Sequence, residues 1–426
     1  MNTMKGFEHP IIKTSIPGKL SRGWVKRMQD VEAPNITYTD KDFPVFIKSA
    51  FLNNVWDVDG NMFLDLTSFF GVASIGHRHP KVQKIVKELD IYHGMGDVHP
   101  TPYKVMLLEK LNALLGGGFM GIFAQSGSEA VETCIKTQML YTHKPKIVVF
   151  EDAYHGLGFG AMNLTQRKYF KEGLEPYTGQ WVYTLPFLEN NEEQMLNNLI
   201  RLLEDKKDIG MVFLEPIQGR GGIRIFSNRF LKNLRTLTKD FSVLLGFDEI
   251  FTGSYRTGYI SYAKAMGIDF DLITLGKGLS SQFPLSVCMG KRKIMEIAWP
   301  KSRGEAKHTY TFLGHPLFTR VGLAVLDIIE QEKLHEKVRR KGKEYIDMLK
   351  ETLKNKKGIR DIRGAGFMIG IEFEYNVFEL VKKLLKKGYI TLPAGNKGHV
   401  LEIIPTFYIT DELFTRFVEV LDGVIE

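Results

Sequence analysis

LITLGKGLS, residues 272–280, is a short apolar run that stops on a lysine. Leu272 to Leu275 read as a buried strand, and Gly276 and Gly278 flank Lys277, the next charged side chain. Flanking glycines clear a space that something can approach. Two upstream runs end in the same way: IGMVFLEPI (209–217) on Glu215-Pro216, and SVLLGFDEI (242–250) on Asp248-Glu249. With KIVVF (146–150), these β-branched and Leu-rich runs alternate with helical patterns such as SEAVETCIKTQMLY (128–141) and SNRFLKNLRTLTK (227–239). Apolar strands alternating with helices predict a parallel sheet covered on both faces. The carboxyl ends of such strands line the ligand crevice, so Glu215, Asp248 and Lys277 are expected to converge at one edge. The plain alternative for each of them singly is a strand-end residue turned to solvent.

The surrounding chain sets the frame. It has 426 residues, 44% hydrophobic and 25% charged, which is ordinary for a globular protein with more than one core. The formal charge of +8 is spread among acids, with no basic block of the kind that binds nucleic acid. Two cysteines, Cys134 and Cys288, make no disulfide framework, and a reducing, cytoplasmic setting is expected. MNTMKGFEHPII lacks the apolar stretch of a signal peptide, and no run approaches the roughly 18 apolar residues of a membrane span. Residues 1–60 read as an irregular segment ending in a hairpin that turns at Asp59-Gly60. Residues 61–315 carry the alternating pattern. From 316 to 426 a long charged helix, strand-like RGAGFMIGIEF (363–373) and VLEIIPTF (400–407), and a closing helix read as a smaller α+β domain.

A lysine in this setting has few uses. The P-loop pattern fails, because Asp271 stands where its first glycine belongs and Gly278 follows the lysine. GGGFMG (116–121) matches a dinucleotide fingerprint literally, but it follows a helix and precedes a strand, so it reads as a helix-ending turn. His77 and His79 are too few ligands for a zinc site, and no metal is expected. Covalent chemistry remains: a partly desolvated lysine has a lowered pKa and forms a Schiff base with a carbonyl. Pyridoxal 5'-phosphate accounts for the neighbours. Its ring nitrogen needs a carboxylate, for which Asp248 is placed. Its phosphate needs N–H groups at a helix start, which Ser126, Gly127 and Ser128 supply. Its ring stacks on an aromatic, and Tyr154 follows KIVVF. Taken alone, SGSEA reads first as a plain capping box, and Tyr154 as a surface tyrosine in a turn.

With these residues in hand, the chain resembles the class III, or ω-amino acid, aminotransferases of PLP fold type I. The likeness runs from about Pro44 to the end, through VWDVDGNMFLDL, GHRHPKV, QSGSEAVE, AYHG, LEPIQGRGG, DEIFTGSYRTG, LGKGLS, HTYTFLGHP and RGAGFMIGIEF in order. It implies an α/β large domain with a mostly parallel seven-stranded sheet, and a small α+β domain built from both chain ends. It implies that Lys277 is the Schiff-base lysine and proton shuttle, and that Asp248 partners the pyridinium. Ile250 and Tyr154 would cover the two ring faces, and Gln218 would donate to the ring 3-oxygen. Glu215 would line the cofactor site, with Gly127 and Ser128 in the phosphate cup. Thr311 would reach the phosphate of a neighbouring subunit, which makes a homodimer with shared sites. Arg363 would grip a substrate carboxylate. The implied reaction moves an amino group from an amino acid or ω-amine to a keto acid in two half-reactions.

The chain departs from the family's usual pattern at four places. Gln125 and His315 stand where asparagine is usual, and Ser281-Gln282-Phe283 replaces a glycine pair before Pro284. Arg220 lies where many members have a glutamate that masks the carboxylate-binding arginine. An unmasked Arg220 is expected to bind an anionic group of the substrate beside Arg363; the alternative is that it faces solvent. Racemase, epimerase or aminomutase chemistry uses the same cofactor site and stays open, as does a non-catalytic scaffold, against which the full lysine, aspartate and phosphate-cup set argues.

Overall fold

The computed structural model describes residues 6–425. Residues 84–335 form one unit, and residues 6–83 and 336–425 together form another. These boundaries fall later than the 60 and 315 suggested by composition. Residues 62–65 lie in a sheet with Tyr389–Ile390, which ties them to the chain's carboxyl end. Pro316–Gln331 packs on helix Pro102–Leu114 of the 84–335 unit, with Gly322 close against Leu107.

The larger unit is built on seven strands: β1 (Phe119–Ala124), β2 (Lys146–Phe150), β3 (Val182–Leu185), β4 (Ile209–Leu214), β5 (Leu244–Glu249), β6 (Leu272–Leu275) and β7 (Ser286–Lys291). Their order is β1-β7-β6-β5-β4-β2-β3. All neighbours are parallel except that β7 runs antiparallel to both β6 and β1. Every residue of β4, β5 and β6 is buried, as expected for strands covered on both faces. Strand alternation divides β2 between two layers. Ile147 and Val149 pack with Val131, Cys134 and Ile135 of helix α1 (Gly127–Thr142). Phe150 turns the other way, onto Phe226 and Phe230 at the start of helix α2 (Asn228–Asp240). Gly246 allows a tight fit in β5, since a Cβ there would come within 2.8 Å of the Phe213 ring. GGGFMG is a helix-ending turn: Gly116, Gly117 and Gly118 all have positive φ between helix Pro102–Leu114 and β1.

The smaller unit draws on both chain ends. Asn54–Asp57 and Met62–Asp65 form the hairpin expected around Gly60, flanked by Ile47–Phe51 and Tyr389–Ile390. Strands Ile359–Ala365, Met368–Phe373, Val400–Ile403 and Leu392–Ala394 make a second, antiparallel sheet. Helices Leu334–Leu353, Phe378–Lys386 and Asp411–Val424 complete the α+β pattern. His77 and His79 have separate structural partners here. His77 forms a fully buried 2.8 Å pair with Asp65, and His79 meets the Tyr408 hydroxyl at 3.1 Å.

Candidate active site

Strands β6, β5 and β4 are adjacent, so their carboxyl ends deliver Lys277, Asp248 and Glu215 to one edge of the sheet. Parallel register pairs Asp248 with Thr274. The Thr274 hydroxyl donates to Asp248 Oδ1 at 3.2 Å, and the Ile250 N–H donates to the same oxygen at 3.1 Å. The other oxygen, Oδ2, lies 2.8 Å from His155 Nδ1. Asp248 is only 5% exposed. These three donors offset the cost of burying its polar oxygens. His155 is held in turn by its own N–H, which donates to Thr165 Oγ1, and by its ring against Phe213. With Nδ1 facing the carboxylate, that nitrogen carries the ring proton. The buried Nε2 is left without a hydrogen-bond partner.

Glu215 organises the backbone beside this pair. Oε1 accepts from the Tyr154 N–H and Oε2 from the Gly219 N–H, each at 3.0 Å. Burial pushes its carboxyl up to about 7; the Asp248 charge adds to the rise, and His155 opposes it. Gln218 is also engaged. Its Nε2 donates to the Glu151 carbonyl at 2.8 Å, and its Oε1 accepts from Arg224 at 3.1 Å.

Lys277 is half-buried and has a φ of 43°, in the left-handed region that a β-carbon disfavours. Its Nζ lies 4.1 Å from the centre of the Phe251 ring. Gly276 is required by space: a Cβ would fall 2.4 Å from Ser286 Oγ and 3.0 Å from the Ile250 side chain. Ile250 also covers Gly127, where a Cβ would come within 3.0 Å. One isoleucine therefore touches both the lysine loop and the start of α1.

That helix begins with a reciprocal cap. The Ser126 hydroxyl accepts from the Glu129 N–H at 3.2 Å, and the Glu129 carboxylate accepts from the Gln125 N–H at 2.8 Å. The next N–H groups, on Gly127 and Ser128, open the helix and have no carbonyl within it to bond. The Ser128 hydroxyl accepts from the Gly158 N–H at 2.8 Å, joining the AYHG turn to the helix start. Tyr154 is half-buried, with the Arg220 guanidinium carbon 4.8 Å from its ring centre and Phe170 beside it at 5.8 Å.

Two expected site residues have other contacts. Thr311 is exposed and sits against Gly94. Arg363 belongs to the smaller unit, where its guanidinium donates to Glu372 at 2.6 Å and Asp361 at 3.1 Å. His155, Thr274 and Phe251 are absent from the sequence reading. Thr274 carries a signal, as the polar residue inside an apolar strand. His155 lies within the AYHG motif but shows its role only through contact with a carboxylate far along the chain.

Residues 36–425 match the family model of the class-III aminotransferases. The chain belongs to the class III aminotransferases. It is similar to the LysW-aminoadipate semialdehyde/glutamate semialdehyde transaminase of Sulfolobus acidocaldarius, at 32% identity over 84% of this chain and 89% of that protein. It is also similar to an alanine/serine racemase of Pyrococcus horikoshii, at 30% identity over 99% of this chain and 93% of that one. Among solved structures, a Bacillus anthracis aminotransferase superposes with a TM-score of 0.88 at 24% identity, covering 97% and 99% of the two chains. As a class III aminotransferase it works with pyridoxal 5'-phosphate. The residues present fit that group: a buried carboxylate with a histidine behind it, open N–H groups at a helix start, and Ile250 as an apolar wall.

Proposed function

We propose that this transaminase binds its cofactor and moves its proton with the residues gathered at the β4–β6 edge. The observation that carries the reading is the buried Asp248 carboxylate, donor-bound on both oxygens, beside the lysine loop and the start of α1. Bound pyridoxal 5'-phosphate supplies a carbonyl for covalent attachment and a protonated ring that withdraws electrons. Asp248 would pair with the ring nitrogen, and His155 and Thr274 hold Asp248 oriented. Ser126, Gly127 and Ser128 hold the phosphate, and Tyr154 and Ile250 bracket the ring. Gln218, held by the Glu151 carbonyl and Arg224, would donate to the ring oxygen, and Glu215 fixes the Tyr154 and Gly219 backbone. Lys277 Nζ would hold the cofactor's carbonyl covalently, and the same amine, when free, would be the group that carries the proton. Arg220 and Arg363 bind anionic groups of the substrate. Thr311, exposed on the protomer, completes the phosphate site of a second copy in a homodimer. Cys134 and Cys288 are buried free thiols, which suits a cytoplasmic enzyme. No helix among the described residues is long and apolar enough to cross a membrane.

The test begins with Lys277→Ala, which removes nucleophile and proton carrier together. It should lower turnover by several orders of magnitude while the protein still folds; turnover near that of the wild type would exclude the assignment. A second reading is favoured by the full-length match to an alanine/serine racemase. Stoichiometric keto acid release from the donor supports amino transfer. Interconversion of enantiomers without net keto acid supports racemisation.

A further inference from the structure

Phe251 forms a wall beside Lys277. It is 8% exposed and sits one residue past Ile250, in the turn that leaves β5. Its neighbours in the chain are pinned. The Ile250 N–H donates to Asp248 Oδ1 at 3.1 Å, and the Thr252 hydroxyl donates to Glu249 Oε2 at 3.0 Å. The Gly253 N–H donates to the Glu249 carbonyl at 3.0 Å, and a Cβ on Gly253 would fall 2.5 Å from the Leu275 side chain. Shifting the ring aside would break these bonds, so the wall is fixed. Lys277 follows the end of the adjacent strand, β6, and its Nζ lies over the ring, 4.1 Å from the centre. The lysine is half-buried, which strengthens any electrostatic contact it makes. A phenyl ring has no lone pair for an N–H. What it offers an ammonium is the negative potential of its face, and that attraction acts on the charged amine far more than on the neutral one.

We infer that Phe251 is a positioning residue for Lys277: its ring face seats the lysine ammonium whenever that amine is not bonded to the cofactor, and so keeps the proton carrier at its post. This rests on the reading of Lys277 as the group that holds the cofactor and carries the proton. The first measurement needs no turnover. In the full-length apoprotein, an amine-reactive reagent labels Lys277 across a pH series, and the labelled peptide is read by mass. Phe251→Leu should move the midpoint of labelling down by roughly 0.5–1 pH unit, so that labelling below the midpoint is about three- to tenfold faster. Phe251→Tyr, which keeps a π face, should stay near the wild type. Progressively fluorinated phenylalanines at position 251 keep the ring and drain its face, so the midpoint should fall stepwise along the series. In the holoenzyme, Phe251→Leu should lower kcat about three- to tenfold with KM little changed, and should enlarge the isotope effect of an α-deuterated donor as proton removal becomes the slow step. A midpoint that neither fluorination nor Phe251→Leu moves makes the ring ordinary packing and overturns the seat. Should Phe251→Leu not fold, the fluorinated series decides alone. Cofactor loading that fails to protect Lys277 from the reagent would count against Lys277 as the attachment point, whereas the apoprotein midpoints judge the seat by themselves.

Discussion

At the residue scale, the pair of Asp248 and His155 carries the largest consequence. Asp248→Asn keeps the shape but presents an amide to three donors: His155 Nδ1, Thr274 Oγ1 and the Ile250 N–H. At least one buried donor then faces another, at a cost of about 1–3 kcal/mol. Cofactor retention on dialysis should weaken, and single-turnover proton removal should slow far more. If only retention suffers, Asp248 does not tune the ring. Glu215 adds a pH signature. Its carboxyl is raised to about 7 chiefly by burial, so the folded state holds the proton more tightly than the unfolded chain does. The stability this contributes is full below the ordinary glutamate value and is lost as pH rises toward about 7, by roughly 3 kcal/mol at most. Denaturation midpoints measured between pH 4.5 and 8 should show that decline, and Glu215→Gln should flatten it. A wild type that gains stability over this window would contradict the assignment. His155 was not legible in the sequence, because a histidine after a strand looks like any turn residue until its partner 93 residues away is known.

At the scale of elements, the loop after β6 holds strain that the sequence advertises. Ser281 and Gln282, in the stretch before Pro284, both have positive φ, 44° and 83°. A left-handed residue with a β-carbon costs roughly 1–2 kcal/mol, and glycine's extra freedom in the unfolded chain returns about 0.5–1 kcal/mol of that. Ser281→Gly should therefore raise stability by about 0.5–1 kcal/mol, read as a higher denaturant midpoint with an unchanged slope. A lower midpoint would mean that the Ser281 side chain makes contacts worth more than the strain. The strands themselves were legible: β4, β5 and β6 are buried throughout, so their sequences are unbroken apolar runs whose polar ends mark the site. The late unit boundaries were not. Helix Pro316–Gln331 is largely apolar where the next helix, Leu334–Leu353, is densely charged, and its packing on Pro102–Leu114 assigns it to the larger unit. Arg363 stood in a recognisable motif, but its ion pair with Glu372 depends on strand register across a hairpin.

At the scale of the whole molecule, the proposed shared-site homodimer makes a clear prediction. A Lys277→Ala subunit and a subunit carrying a bulky residue at Thr311 should each be nearly inactive alone, and co-expressed they should regain activity through one intact site per mixed pair. Failure to regain activity in verified mixed dimers would place Thr311 outside the site. The smaller unit, stitched from both chain ends, bears on synthesis. Met62, Phe63 and Leu64 are almost wholly buried in the finished protein, in a sheet completed by Tyr389–Ile390, and Ser68 donates to the Ile404 carbonyl 336 residues on. A ribosome delivers the amino end first, so this sticky segment must wait, uncovered, while all of residues 84–335 emerge. Those middle residues can assemble as a unit meanwhile; the first 83 cannot. Nascent chains stalled before residue 389 should therefore be the form most in need of a chaperone, whatever the stability of the completed enzyme.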